Sequence, residues 1–240
     1  MMAVVSIARR ELASMFRVPV GWAVIALHLL VAGVFFRVFA LVPGEVASMR
    51  AYFELGAVLL LVVCPAVSMR LFSEELRSGT IESLMTAPVG DLASVAGKYA
   101  AAVLFLVVML GSSWVYVGVL VLVAGGPVDL GPVWAGYLSL VLTGCLYLSI
   151  GTLISTLTSS QTLAFLGSFL AMLGVLMGPG LAGPRLPDPM GSWVLELAIG
   201  PRVRDLAKGV IDPRHAVYFL SVSAWFVLGA YVSLNSRRWR

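Results

Sequence analysis

Long apolar runs follow one another along most of this chain, separated by short polar breaks. A helix needs roughly 20 apolar residues to cross a bilayer, and the runs are close to that length. Six spans are predicted, at 19–42, 52–72, 99–124, 133–157, 163–178 and 215–234. Pro19 suits a helix start, where its missing N–H is not needed. Pro65 is expected to bend the second span. GGPVDLGP at 125–132 and TSSQT at 158–162 read as tight turns.

The first 17 residues follow a different pattern, that of an amphipathic helix. At 100° per residue, Val4, Val5, Ala8, Leu12, Met15 and Phe16 share about one third of the circle. Ser6, Arg10, Ser14 and Arg17 fall opposite. Such a helix is expected in the membrane interface, with its bases toward lipid headgroups. A signal peptide is the competing reading, but the apolar stretch that follows is too long and contains Arg37. Near the other end, residues 179–214 are polar and rich in Pro and Gly at first. Within them SWVLELAIG and PRVRDLAKGVI have helical apolar spacing but are too short and charged to span. They are expected as short helices on the membrane surface.

Composition agrees with the pattern. The chain has 240 residues, 60% hydrophobic and 12% charged, with a mean hydropathy of +1.00. Soluble domains carry roughly 25% charged residues. The reading is one all-α transmembrane domain over residues 1–240. Cys64 and Cys145 sit in apolar runs and form no disulfide framework. Six spans put both termini on one side. With cytoplasmic termini, nine bases lie inside and seven outside, and five of the outer seven crowd into the 179–214 loop. Four of those five are expected to pair locally with Asp188, Glu196, Asp205 and Asp212. The short loops and termini then favour cytoplasmic termini under the positive-inside rule, in a cell's inner membrane.

The longest polar interruption in the first two thirds of the chain is 70–98, RLFSEELRSGTIESLMTAPVGDLASVAGK. It holds four of the twelve acids and three of the sixteen bases. Its sequence resembles the permease subunits of the type 2 ABC transporter (ABC-2) class. The residues that carry the resemblance are Glu74, Glu75, Arg77, Gly79, Thr80, Ile81, Glu82, Thr86, Ala87 and Pro88, with Gly97-Lys98 opening the next span. A second resemblance, KGVIDPRHAVYFLS at 208–221 with the basic tail, is to the branch associated with gliding motility and copper-enzyme maturation.

The resemblance implies a coupling helix in this segment that docks on a separate nucleotide-binding subunit. The residues fit such a knob. The second span would run out to about Arg77, and Gly79 would break it, being costly inside a helix. Thr80 can cap a short new helix, with Glu82 near its positive end. Ile81, Leu84 and Met85 form an apolar stripe, and Pro88 stops the helix. Glu74, Glu75, Arg77, Gly79, Thr80, Ile81, Glu82, Leu84 and Met85 are therefore the candidate coupling residues. The resemblance also implies a second permease protomer, most simply an identical one, and export as the direction. ATP and Mg would sit on the partner ATPase, with no cofactor in this chain.

Other chemistry finds little support. GDLASVAGKY at 90–99 has six residues between its glycines and Tyr99 where a phosphate loop needs Ser or Thr. No Gly-x-Ser-Gly, HExxH or Cys/His cluster occurs, so a membrane protease or metalloenzyme is a distant third reading. The first alternative is a membrane scaffold that uses ATPase-driven motion without moving a solute. The bases form no stripe suited to nucleic acid. His28 is expected near mid-membrane, neutral and bonded to a neighbouring helix, and His215 at a helix start. Lys98 is expected to snorkel at the start of the third span. Ser139, Thr143 and Tyr147, with Gly151 and Ser155, recur every four residues in the fourth span. They are candidates for a translocation path, with interhelical packing the favoured reading. Gly174 and Gly178 form a GxxxG in the fifth span and are candidates for a dimer interface. The 179–214 loop would be a lid over the exit or a docking surface for an extracytoplasmic protein.

Overall fold

A computed structural model of the chain describes residues 2–41, 48–80, 90–124 and 129–236. The candidate coupling residues Ile81, Glu82, Leu84 and Met85 lie outside the described residues, as do Thr86, Ala87 and Pro88. Among the described residues every regular element is helical. Six helical segments are long and apolar enough to cross a membrane.

The amphipathic start is helix α1, Met2–Arg17. It packs along the third spanning segment, with Ala8 buried. Val4, Leu12, Met15 and Phe16 of the expected apolar face are partly buried with it, while Val5 is exposed and Ile7 and Glu11 also turn inward. Gly97 of the third span lies against Ile7 on this face, where a Cβ would come within 2.8 Å of Ile7 Cγ2. The first span is α2, Pro19–Phe35, with proline in the first turn, continued by one π-helical turn at Phe36–Ala40. Trp22 Nε1 donates to the Phe16 carbonyl at 2.9 Å and ties α2 to the end of α1.

The second span differs from its reading. Helix α3, Arg50–Ser68, stops short of the expected end, and a turn leads into the short helix α4, Ser73–Ser78. The break has a tertiary cause. The backbone N–H groups of Phe72 and Ser73 both donate to Ser155 Oγ, at 2.9 and 3.1 Å, so the turn leaves neither donor unpaired. A buried N–H without such a partner is strongly disfavoured. Gly79 ends α4 with φ +73°, the left-handed conformation that glycine adopts without steric cost.

The third span starts inside the polar segment rather than after it. Helix α5 runs Asp91–Ser112, breaks at Ser113, and resumes as α6, Trp114–Val123. Ser113 Oγ sits 2.9 Å from the Tyr137 hydroxyl at that break. The fourth span, α7, Leu130–Leu157, is capped by Asp129, which accepts from Gly131 N at 2.9 Å. It is the central helix of the protomer. It packs on α3, α5 and three later helices: α8, Gln161–Ala182; α10, Ile199–Ala207; and α11, Pro213–Ser236. Helix α8 outruns the expected end at 178 and carries Pro179 within it. The short helix α9, Met190–Glu196, and α10 occupy the two stretches read as surface helices. Ile199, Val203, Leu206 and Ala207 of α10 are buried.

The polar groups of the 179–214 loop are satisfied differently from the expectation. Among the described residues none of its bases pairs with a carboxylate side chain. Arg185 donates to the Leu181 carbonyl and Arg202 to that of Glu196. The Arg202 guanidinium also lies over the Tyr218 ring at 4.0 Å. His215 stands in the first turn of α11, as expected, 3.7 Å from Asp205 Oδ2. His28 is buried on the inner face of α2, and neither ring nitrogen has a hydrogen-bond partner. The expected bond to a neighbouring helix is absent among the described residues, and Ile25 and Ala32 beside it on that face are apolar.

Candidate functional site

The root of the 70–98 segment is built around one buried cation. Lys98 lies on the second turn of α5, not at its start, and its side chain is 3% exposed. The expected snorkelling to headgroups is therefore replaced by internal pairing. Lys98 Nζ bonds Glu75 Oε1 at 2.8 Å and the Leu71 carbonyl at 2.7 Å. Glu11 Oε1 of α1 stands 3.5 Å away, and the Phe72 ring lies under the ammonium at 5.1 Å to its centroid. One side chain thus gathers α1, the α3–α4 turn, α4 and α5. Burying a charge is tolerable only when it is paired and hydrogen-bonded, and Lys98 has both.

The candidate coupling residues separate around this cluster. Glu75 turns inward to Lys98. Glu74 turns outward and pairs with Arg70 through two bonds, at 3.0 and 3.3 Å. That pair is half exposed, a setting in which ion pairs contribute little. Arg77, Gly79 and Thr80 are exposed. Ser78 Oγ donates to the Glu74 carbonyl at 2.9 Å and lies 2.8 Å from Thr80 Oγ1, which closes the end of α4. On the far flank the chain re-enters α5 at Gly90, whose carbonyl accepts from Ala93 N and Ser94 N at 2.9 and 3.1 Å. Among the described residues of the segment, both flanks are held and Glu74, Arg77, Ser78 and Thr80 face out.

Sequence reasoning missed Glu11, Ser155 and the inward role of Lys98. Glu11 is the single acid of an otherwise basic helix, which is a weak signal. Ser155 had only its four-residue spacing. Its companions Ser139, Thr143 and Tyr147 are all fully buried within the protomer. Ser139 Oγ donates to the Gly136 carbonyl at 2.8 Å, while Thr143 Oγ1 and Tyr147 OH have no partner among the described residues. Gly174 and Gly178 are far from this site. A Cβ built at either meets nothing within 4 Å, so both face away from the protomer.

Residues 5–184, three quarters of the chain, match the family model described as ABC-2 family transporter protein. The chain belongs to the ABC-2 transporter family. No curated protein matches it. The matched stretch takes in α1 to α8, the 70–98 segment and the Lys98 cluster. It ends before 208–221, the segment on which the resemblance to the gliding-motility branch rested. Family membership makes the protein the membrane-spanning permease component of an ABC transporter, and it implies pairing with an ABC ATPase subunit.

Proposed function

We propose that this ABC-2 permease converts ATP hydrolysis on a separate nucleotide-binding subunit into export across the inner membrane, through the 70–98 segment. One observation supports this above the others: an outward-facing polar segment has its root pinned to the bundle core. The α3–α4 turn is held by Ser155 of α7 on one side and by Lys98 of α5 on the other. A load that reaches α4 is then carried into the spanning helices through these bonds. ATP and Mg belong to the partner. Both termini and this segment face the cytoplasm in this reading, in keeping with the bases of the termini and short loops. The 179–214 loop then faces outward, as a lid or as a surface for an accessory protein.

The test is purification of the permease in mild detergent from its own host, with mass spectrometry of what accompanies it. An ATPase subunit in near-equal amount is expected. Glu82→Lys or Arg77→Glu should weaken its retention by roughly tenfold or more, because a like charge placed across an interface costs several kcal/mol. Unchanged retention in both variants, or no ATPase in any detergent, overturns the proposal.

Two permease protomers complete the transporter, with Gly174 and Gly178 at their contact. Open space beside both glycines supports this, since small residues let helix backbones approach. Gly174→Leu is expected to leave the protomer folded and to shift the detergent-solubilised permease from dimer to monomer by light scattering. A variant that stays dimeric removes these glycines from the contact.

A further inference from the structure

Where α2 meets α6, a groove of about 430 Å³ runs along the membrane-spanning surface. Leu30, Val34 and Val38 line one wall and Tyr116 of α6 the other, with Arg37 toward the far end. Leu30, Val34, Arg37 and Val38 are exposed and recur at helical spacing, so they share one face. The Tyr116 wall is fixed from within the protomer. Its hydroxyl donates to the Leu29 carbonyl at 2.5 Å, and its ring stacks on Phe36 at 5.3 Å between centroids. A Cβ at Gly33 would lie 2.8 Å from that hydroxyl oxygen, so the glycine is what admits Tyr116 against α2.

Depth and charge say what fits there. Arg37 lies about 27 Å along the span from Pro19, at a helical rise of about 1.5 Å per residue. The hydrocarbon core of a bilayer is roughly 30 Å thick. The guanidinium therefore reaches headgroup level in the leaflet away from α1, and the groove leads back from it into the hydrocarbon. Among the described residues Arg37 pairs with no carboxylate, and its Nη1 makes just a 3.5 Å contact with the Leu41 carbonyl. A cation left without a partner at a membrane edge is unfavourable. The planar fork of five N–H donors matches the oxygens of a phosphate group. A cation at headgroup depth, with an apolar groove leading inward from it, has the charge and shape complementary to a phospholipid.

We propose that this groove binds one anionic phospholipid, with its phosphate on Arg37 and an acyl chain along Leu30, Val34 and Val38. A zwitterionic lipid suits the site less well, because its headgroup cation is repelled by the guanidinium. A second permease on this face would bury Arg37, which is strongly unfavourable without a carboxylate opposite. The proposal stands apart from the coupling function. It needs only that α2 and α6 lie within the bilayer.

The experiment is native mass spectrometry of the full-length permease, stripped of lipid in detergent and titrated with phosphatidylglycerol or with phosphatidylcholine of the same chains. The wild type is expected to hold one phosphatidylglycerol per protomer about tenfold more tightly than phosphatidylcholine. Arg37→Gln should abolish that preference, since a hydrogen bond to a charged group is worth roughly tenfold or more. Val34→Trp, which keeps Arg37 and fills the groove, should weaken retention of both lipids. Both positions are exposed, so each variant should match the wild type in its unfolding midpoint in lipid-free detergent. Equal retention of the two lipids by the wild type overturns the proposal. So does a preference that survives Arg37→Gln, or retention unchanged in Val34→Trp. Full competition by the chain-free headgroup, glycerophosphoglycerol, overturns it too, by showing an anion site without a lipid groove. A dimer that either variant converts to monomer would assign this face to a second permease instead.

Discussion

Lys98→Met is expected to lower the unfolding midpoint of the detergent-solubilised permease by on the order of 10 °C. The variant removes the cation paired with Glu75, whose side chain is 21% exposed, while Glu11 keeps Arg10 at 3.1 Å. Breaking a buried pair by deleting one partner costs about 3–5 kcal/mol, because the remaining charge stays buried without compensation. Each kcal/mol moves the midpoint of a chain this size by roughly 2–4 °C. The Leu71 carbonyl loses its bond as well. Arg70→Ala is the control. It removes an exposed pair of the same chemical type, for which about 0–1 kcal/mol is expected. A further variant combines Lys98→Met with Glu75→Gln. It should recover much of the loss, since no unpaired charge is then left inside. A midpoint for Lys98→Met no lower than that of Arg70→Ala would show that the cluster is not holding this corner together.

The second large effect is expected at Gly151. A Cβ there would fall 2.0 Å from Ser68 Oγ and 2.6 Å from Ser68 Cβ, so even alanine forces α3 and α7 apart. Ser68 is fully buried at the last residue of α3, and neither helix has free space at the contact. Overpacking of this kind costs about 1–3 kcal/mol. The displacement reaches further, because Ser155 stands one turn beyond Gly151 on the same face of α7. Its Oγ accepts from Phe72 N and Ser73 N. Moving α3 away stretches both bonds, and each buried donor left unpaired adds about 1–3 kcal/mol. Gly151→Ala is therefore expected to destabilise the permease by several kcal/mol, judged by its detergent unfolding midpoint. Ser155→Ala should cost less, and the double variant should cost less than the two together, because both disturb one turn. Full additivity would mean that the glycine contact and the serine bonds act independently.

Much of the architecture was legible in the order of residues. The six spans follow from hydropathy alone, since a bilayer demands long apolar stretches wherever they occur. The start of α2 at Pro19 and the stop at Gly79 were legible for a local reason too. Proline lacks a donor, and glycine reaches positive φ, whatever surrounds them. The amphipathic start was seen with most of its apolar face, though Val5 is exposed and Ile7 turns inward in its place. The outward face of the 70–98 segment was partly legible among the described residues. Arg77 and Glu74 point out as their charge suggests, while Glu75, chemically alike, points in.

That difference between adjacent glutamates marks where local reading stops. The sequence by itself determined how many helices are long and apolar enough to cross a membrane, which polar segment separates the second from the third, and where backbone chemistry must interrupt a helix. These are properties of a residue and its near neighbours in the chain. The tertiary structure alone decided that α5 begins at Asp91 and buries Lys98, and that α7 is central. It also decided that α3 ends at Ser68 because Ser155 receives the freed donors, and that Glu11 of α1 stands beside Lys98 at the root of the 70–98 segment. In each case the deciding partner is remote in sequence: Glu11 lies 87 positions from Lys98, and Ser155 lies 83 from Phe72. A buried charge or an interrupted helix is affordable only once such a partner is in place, and the fold is what puts it there.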